Sequence, residues 1–355
     1  MIRLLSPQGV LEGEPDPTLT ESKLVKIMKD MVAARVFDDW MLRIHPMGRV
    51  SRYAPAEGQE ASMVGSAHAL SEVDWVFPTY REFPVLIARG VPLVELQNRM
   101  FANSRDVLKG HEITLYGDRW RRIVVGAGGV SLMAPIAVGM AMASKSAGEK
   151  SVFIVYMGDG ATSKGDFHEA INFAGVFKTP VIFFCQNNQW AISVPVSLQT
   201  RAETLAVKAE AYGIPGVRVD GNDVLAVYTV VRKYVEAARA GGGPAFIEAY
   251  TYRIGAHTTA DDPRRYRSEE EVRRWRELDP ISRMRKYLTA KGLWSVEEEE
   301  RFIEEFREEL RKATEIAEST PPLKPAAILE DVYGETPWYI ADELEELERY
   351  SAETL

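Results

Sequence analysis

The stretch Ser151-Val152-Phe153-Ile154-Val155-Tyr156-Met157-Gly158-Asp159-Gly160 decides the fold of this 355-residue chain. An apolar run ends abruptly in Gly-Asp-Gly. A polar turn, Ala161-Thr162-Ser163-Lys164-Gly165-Asp166, then leads into Phe167-His168-Glu169-Ala170-Ile171-Asn172-Phe173-Ala174, which has helical spacing. A second apolar run, Val181-Ile182-Phe183-Phe184-Cys185, ends in Gln186-Asn187-Asn188. This reads as strand, loop, helix, strand, with oxygen ligands just past the end of each strand. In a parallel α/β sheet both loops lie at the carboxyl edge, where such folds bind ligands. Neighbouring strands would bring Asp159 and Asn188 together. One carboxylate, one amide oxygen and a main-chain carbonyl near Trp190 suit Mg²⁺, which takes few protein oxygens and completes its octahedron with waters and ligand phosphates. Gly158 and Gly160 let the backbone bend and approach a diphosphate closely, and the following helix offers its N-terminal N–H groups. The plainer alternative is a structural unit with Asp and Asn as turn formers. The Asn-Asn pair at the end of the very next strand weighs against it.

From Gly158-Asp159-Gly160 to Asn187-Asn188 the chain resembles the thiamin diphosphate motif, GDG followed after a fixed interval by NN. Across roughly residues 19–338 it resembles the alpha subunit of the decarboxylating component of 2-oxo acid dehydrogenase complexes, the pyruvate and branched-chain group. The resemblance implies an α/β thiamin diphosphate-binding fold, a mostly parallel sheet with helices on both faces and helical extensions at both ends. Its parts would be an N-terminal arm and helix (1–45), the diphosphate-binding domain (46–290) and a C-terminal helical extension (291–355). It also implies a cofactor site. Tyr80 and Arg81 would reach the diphosphate, where an arginine offers bidentate geometry. Gly128 and Val130 would press main chain and an apolar wedge against the thiamin rings. Gly158, Asp159, Gly160, Ala161, Asn188, Ile192 and His257 would complete the cofactor contacts, with Asp159, Asn188 and Trp190 holding Mg²⁺.

Composition bounds the alternatives. A chain of this length buries a large core in one or two domains, and 46% hydrophobic with 27% charged residues is ordinary for a globular protein. The net charge of −9 argues against nucleic acid as a bulk electrostatic partner. No apolar run reaches membrane-spanning length, and the start Met1-Ile2-Arg3-Leu4-Leu5-Ser6-Pro7 is too short for a signal peptide. The expectation is a cytoplasmic protein with no membrane partner. The single Cys185 permits a reducing compartment. None of the five histidines stands at zinc-ligand spacing.

Taken in order, residues 1–17 read as an arm over the surface or a partner. Thr18-Leu19-Thr20-Glu21 has capping-box spacing before a helix with Leu24, Met28, Met31, Val32, Phe37, Trp40, Met41 and Ile44 on one stripe. Glu60 to Ala67 reads as a small-residue helix with His68 as a packing residue. Residues 93–101 read as an amphipathic helix, and 103–122 lack periodicity. Gly126-Ala127-Gly128-Gly129-Val130 is not a dinucleotide fingerprint, and a helix follows over 131–144. Residues 202–212 read as helix, 213–223 as turn, strand, turn, and 224–240 as a helix stopped by Gly241-Gly242-Gly243-Pro244. Ala245-Phe246-Ile247-Glu248-Ala249-Tyr250 reads as a further strand, so strands and helices alternate as in a parallel sheet covered on both faces. Residues 296–319 read as a solvated helix with i, i+4 charge pairs, and 337–355 as an acidic amphipathic helix docked on a partner subunit.

The loop after the last strand, 251–267, holds the one histidine with a functional reading, His257, among four arginines. In the resembled family the matching loop is catalytic and the matching histidine contacts the diphosphate and assists reaction with lipoamide. With a near-neutral pKa, His257 would donate or accept a proton, or simply hold the diphosphate. Ala256 stands where branched-chain members often have a second histidine, and Thr258 where a regulated serine stands in some members. Gln186 stands where some relatives have an arginine; with nothing in its place, affinity would lean on Arg81, His257 and Mg²⁺.

Thiamin chemistry requires a carboxylate at the aminopyrimidine, and no glutamate here can be nominated for it. In the resembled family it comes from a beta subunit of an α₂β₂ heterotetramer, and the product acyl group passes to a lipoyl-bearing acyltransferase. Tyr252-Arg253-Ile254-Gly255 and Asp261-Asp262 lean toward branched-chain 2-oxo acids as substrate, with pyruvate or acetoin dehydrogenase alpha subunits as alternatives. A non-catalytic Mg²⁺-phosphate binding or scaffold protein is the alternative of another class.

Overall fold

A computed structural model describes residues 1–111, 115–329 and 332–354. In chain order the described elements are α1 (Glu21–Ile44), α2 (Glu60–His68), β1 (Trp75–Phe77), α3 (Phe83–Ala88), α4 (Leu93–Phe101), α5 (Met133–Ser146), β2 (Phe153–Gly158), α6 (Gly165–Phe177), β3 (Val181–Asn187), β4 (Trp190–Ala191), β5 (Val194–Pro195), α7 (Val196–Gln199), β6 (Gly216–Asp220), α8 (Val224–Arg239), β7 (Ala245–Tyr250), α9 (Glu269–Arg276), α10 (Pro280–Ala290), α11 (Val296–Ser319) and α12 (Trp338–Thr354). Among the described residues β1, β2, β3, β7 and β6 form one sheet in that order, all parallel. β4 and β5 pair as a short antiparallel ribbon just past the sheet.

Alternation along the strands builds two cores. Ile154 and Tyr156 of β2, Ile182 and Phe184 of β3 and Ile247 of β7 face the core made with α1, α2, α8, α10 and α11. Phe153, Val155 and Met157, then Phe183, Cys185 and Phe246, face the core made with α5 and α6. Strands buried on both faces carry continuous apolar runs for this reason. Each fully buried Val, Ile or Phe contributes roughly 1.5–3 kcal/mol. The expected α/β fold is therefore the observed one. No helix among the described residues is long and apolar enough to cross a membrane.

The chain departs from its sequence reading at several ends. Thr20, not Thr18, caps α1, accepting from the Lys23 amide; the box fails because Thr18 bonds Asp16 and Tyr228 instead. Residues 206–212 form a 3₁₀ turn rather than an α-helix spanning 202–212. Helix α5 starts at Met133 because Ser131 is held at φ 70°. β1 forms a strand from a segment that carried only aromatic anchors. α11 is not simply solvated: Phe306, Leu310, Ala313 and Ala317 are buried, and Trp40 donates its indole N–H to Thr314 at 3.0 Å. Its charged face carries the expected i, i+4 pairs, Arg311 with Glu315 and Lys312 with Glu308.

The N-terminal arm lies along the sheet edge. Ile2 bridges Val219 in parallel, and the Leu4 and Leu5 amides both donate to Asp223 Oδ2, at 2.7 and 2.6 Å. The other oxygen of Asp223 caps α8, accepting from Leu225 and Ala226. One buried carboxylate therefore satisfies four amides from two distant segments. Asp223→Ala is expected to destabilise the chain by about 2–4 kcal/mol, a lost cap plus stranded buried donors, read as a lower urea midpoint with unchanged slope.

Candidate active site

Three loops converge at the carboxyl edge: those after β2, β3 and β7. Asp159 follows β2 and Asn188 follows β3, with exposures of 1% and 7%, and the register pairs Gly158 with Gln186 immediately before them. Asp159 Oδ2 accepts from Gln199 Nε2 at 2.6 Å. Burial pushes the Asp159 carboxyl above the usual range, against the Gln199 amide, the Arg253 charge and the Asn188 backbone N–H. Asn188 donates Nδ2 to Gln59 at 3.1 Å, which fixes its amide, and Oδ1 accepts from the Trp190 N–H at 3.3 Å. A β-carbon on Gly158 would meet nothing within 4 Å, so this turn opens onto free space, whereas one on Gly160 would lie 2.8 Å from the Ala191 β-carbon.

Across the same cavity stands a cluster of two guanidiniums and an imidazole. Arg81 is 5% exposed. It donates Nη1 to the Pro55 carbonyl at 2.5 Å, and Nη2 to the His257 carbonyl at 2.9 Å and to His257 Nδ1 at 3.2 Å. Arg253, fully buried, donates Nη1 to the same Nδ1 at 3.0 Å, and Nη2 to the Ile192 carbonyl and Tyr266 hydroxyl. Guanidiniums only donate, so Nδ1 is the acceptor and the ring proton sits on Nε2. Burial first, then Arg81 and Arg253, push His257 down to about 3. The near-neutral expectation for His257 is therefore wrong for the chain as folded, because a buried imidazole between two cations resists a third charge. Asp261, which accepts the His257 amide at 2.8 Å, offsets only part of this. Arg253 itself is pushed down to about 10 by burial and Arg81.

Tyr80, Arg81, Gly128, Val130, Gly158, Asp159, Gly160, Ala161, Asn188, Trp190, Ile192 and His257 all line one cavity of about 580 Å³. Its charged lining is Arg52, Arg81, Lys164 and Arg253 against Asp159 and Glu82. In a chain of net charge −9, this wall is locally cationic and suits a polyanion. Ile192 sits at φ 55°, a costly region for a β-branched residue, and its carbonyl is held there by Arg253. Val130 is 47% exposed at the rim.

Several lining residues escaped the sequence reading. Arg253 was read only within the Tyr252-Arg253-Ile254-Gly255 run, as a hint of substrate type and not as a cofactor-site cation; its position three residues past the end of buried strand β7 was the available signal. It supplies the buried cation whose absence Gln186 suggested. Gln186 instead donates to Glu82 at 2.7 Å, and Glu82 also accepts from the Thr79 amide and hydroxyl. Gln59, from the irregular segment before α2, carried no motif at all. Among the described residues, no three His, Cys, Asp or Glu side chains gather into a metal cluster.

The family model described as the dehydrogenase E1 component matches residues 28–326. The chain is 45% identical over 331 residues to the 3-methyl-2-oxobutanoate dehydrogenase subunit alpha of Mycobacterium tuberculosis, covering 88% of this chain and 84% of that one. It is 41% identical over 348 residues to the pyruvate dehydrogenase E1 component subunit alpha of Staphylococcus aureus, covering 97% and 92%. With a family model spanning most of its length and relatives this similar, the chain belongs to the dehydrogenase E1 component family, whose fold binds thiamin diphosphate.

Proposed function

We propose that this chain is the alpha subunit of a cytoplasmic 2-oxo acid dehydrogenase of the branched-chain type, oxidatively decarboxylating its substrate and passing the acyl group to a lipoyl-bearing acyltransferase. It would act with a beta subunit as an α₂β₂ heterotetramer, the three parts 1–45, 46–290 and 291–355 serving as arm, diphosphate-binding domain and extension. The observation that carries this reading is the convergence of Arg81, Arg253 and His257 on one wall of a cavity whose floor is Asp159 and Asn188.

The residues fit both groups. Among the described residues Asp159 is buried with a single side-chain partner, the neutral Gln199, an arrangement that favours a bound cation. With Asn188 Oδ1 and the Trp190 carbonyl it makes an all-oxygen set suited to Mg²⁺. Tyr80, Arg81, Arg253 and His257 would hold the diphosphate, Arg81 and Arg253 as charge-assisted donors. The main chain of 158–161 and the Ile192 turn would close round it, with Gly128 and Val130 at the rings. Bound thiamin diphosphate supplies the carbanion equivalent for decarboxylation. His257, with its proton fixed on Nε2, presents a neutral donor from that atom. The two carboxylates lining the cavity are both committed, Asp159 at its floor and Glu82 to Gln186 and Thr79. Neither is free for the aminopyrimidine, which supports a partner subunit as the source of that group.

The test is decarboxylation of 3-methyl-2-oxobutanoate, pyruvate and related 2-oxo acids with Mg²⁺, thiamin diphosphate and a dye acceptor, for the chain alone and co-expressed with its neighbouring subunit. Activity is expected only with the partner, highest on the branched-chain acid, and lost on dialysis against EDTA until Mg²⁺ returns. Preference for pyruvate would assign the other substrate type. Turnover by the chain alone would overturn the split site, and none in either preparation would favour a binding protein.

A further inference from the structure

Gln199 ends the four-residue α7, beyond the turn that carries Asn188. Its Nε2 donates both to Asp159 Oδ2 at 2.6 Å and to the Val194 carbonyl at 3.0 Å. These two acceptors fix the amide, because the flipped form would set Oε1 against a carboxylate and a carbonyl oxygen. Oε1 is left buried and without a hydrogen-bond partner among the described residues. It lies 4.0 Å from where a β-carbon on Gly160 would stand, over the Gly-Asp-Gly turn. A buried acceptor without a donor is costly unless something brings one, and a water bound to a cation beside Asp159 is such a donor. Groups behind a metal's direct ligands orient them in this way.

We propose that Gln199 is a positioning residue for the divalent cation, holding the Asp159 carboxylate through Nε2 while Oε1 accepts from a cation-bound water. The inference rests on the proposed Mg²⁺ site, and it extends that site to a loop outside the Gly-Asp-Gly and Asn-Asn motifs. Cation binding and the order of residues 190–199 are thereby coupled.

The experiment measures Mn²⁺ binding by electron spin resonance in the chain co-purified with its partner subunit, at saturating thiamin diphosphate. Gln199→Met keeps the length but neither polar atom, and Gln199→Asn keeps the amide one methylene short; each is expected to weaken Mn²⁺ binding by about 10–100-fold. Leu198→Ala, 78% exposed on the same helix, is expected to bind as the wild type does. Wild-type affinity in either folded Gln199 variant overturns the role, as does an equal loss in Leu198→Ala, which would mean a general loop effect. If the wild type itself binds no Mn²⁺, the Mg²⁺ site falls and this role with it.

Discussion

Asp159→Asn is expected to abolish oxidative decarboxylation, lowering kcat/KM by more than ~10³-fold, because in the proposed Mg²⁺ site several kcal/mol of cation binding would rest on one carboxylate. Among the described residues no second acid stands beside it: Asn188, its partner Gln59 and Asp159's own partner Gln199 are neutral amides. The same substitution is expected to raise the melting temperature of the chain measured without Mg²⁺ and cofactor. Burial raises the Asp159 carboxyl in the folded state. A group with a raised folded pKa favours the native state fully only below its unfolded value, near 3.8, and that contribution is lost as pH rises through the folded value. At neutral pH the ionised, buried carboxylate is therefore a cost, and an amide removes it. A site strained for function gains stability when disarmed. Calorimetry with and without Mg²⁺ measures both halves; a lower melting temperature for metal-free Asp159→Asn would show that Asp159 is satisfied by the protein alone.

His257→Gln is expected to lower kcat by about 10²–10⁴-fold, the usual contribution of a positioned proton donor or acceptor, with a smaller change in cofactor affinity because Arg81 and Arg253 remain. In the free chain the His257 imidazole should show no titration by NMR between pH 5 and 8, since it is held down to about 3. Arg253→Met removes one of the two cations on Nδ1, and should move the titration of His257 upward, toward the ordinary histidine range. It should also release the Ile192 turn and weaken thiamin diphosphate binding. The depressed value has a stability consequence of definite sign. Between about 6.5 and 3 the unfolded chain binds a proton that the folded chain refuses, so His257 costs stability as pH falls through that window. A wild-type His257 that titrates near pH 6.5 would undo both expectations.

Legibility in the sequence followed the range of each interaction. Strands β2, β3 and β7 were readable because strands buried on both faces must be continuously apolar, and the helices because their stripes recur with the helical period. Gly158-Asp159-Gly160 and Asn187-Asn188 were readable as site residues because the end of a parallel strand is both a local feature and the ligand-binding edge. His257 was singled out by its loop, and its neighbours in the fold hold it neutral instead of near its ordinary titration range. That lowering had no local signal: Arg81 lies 176 positions away, and burial exists only once the sheet is assembled. Arg253 became the buried cation through three contacts, to His257, Ile192 and Tyr266, which lie 4, 61 and 13 positions away. Gln59 and Gln199 carry no motif and met their partners, Asn188 and Asp159, only where separate loops came together. The sequence by itself thus determined the central strands β2, β3 and β7, most of the helices and the family, all written in local periodicity and motif. The tertiary structure alone decided protonation, amide orientation and which polar groups share the cavity, because those depend on distances between residues far apart in the chain.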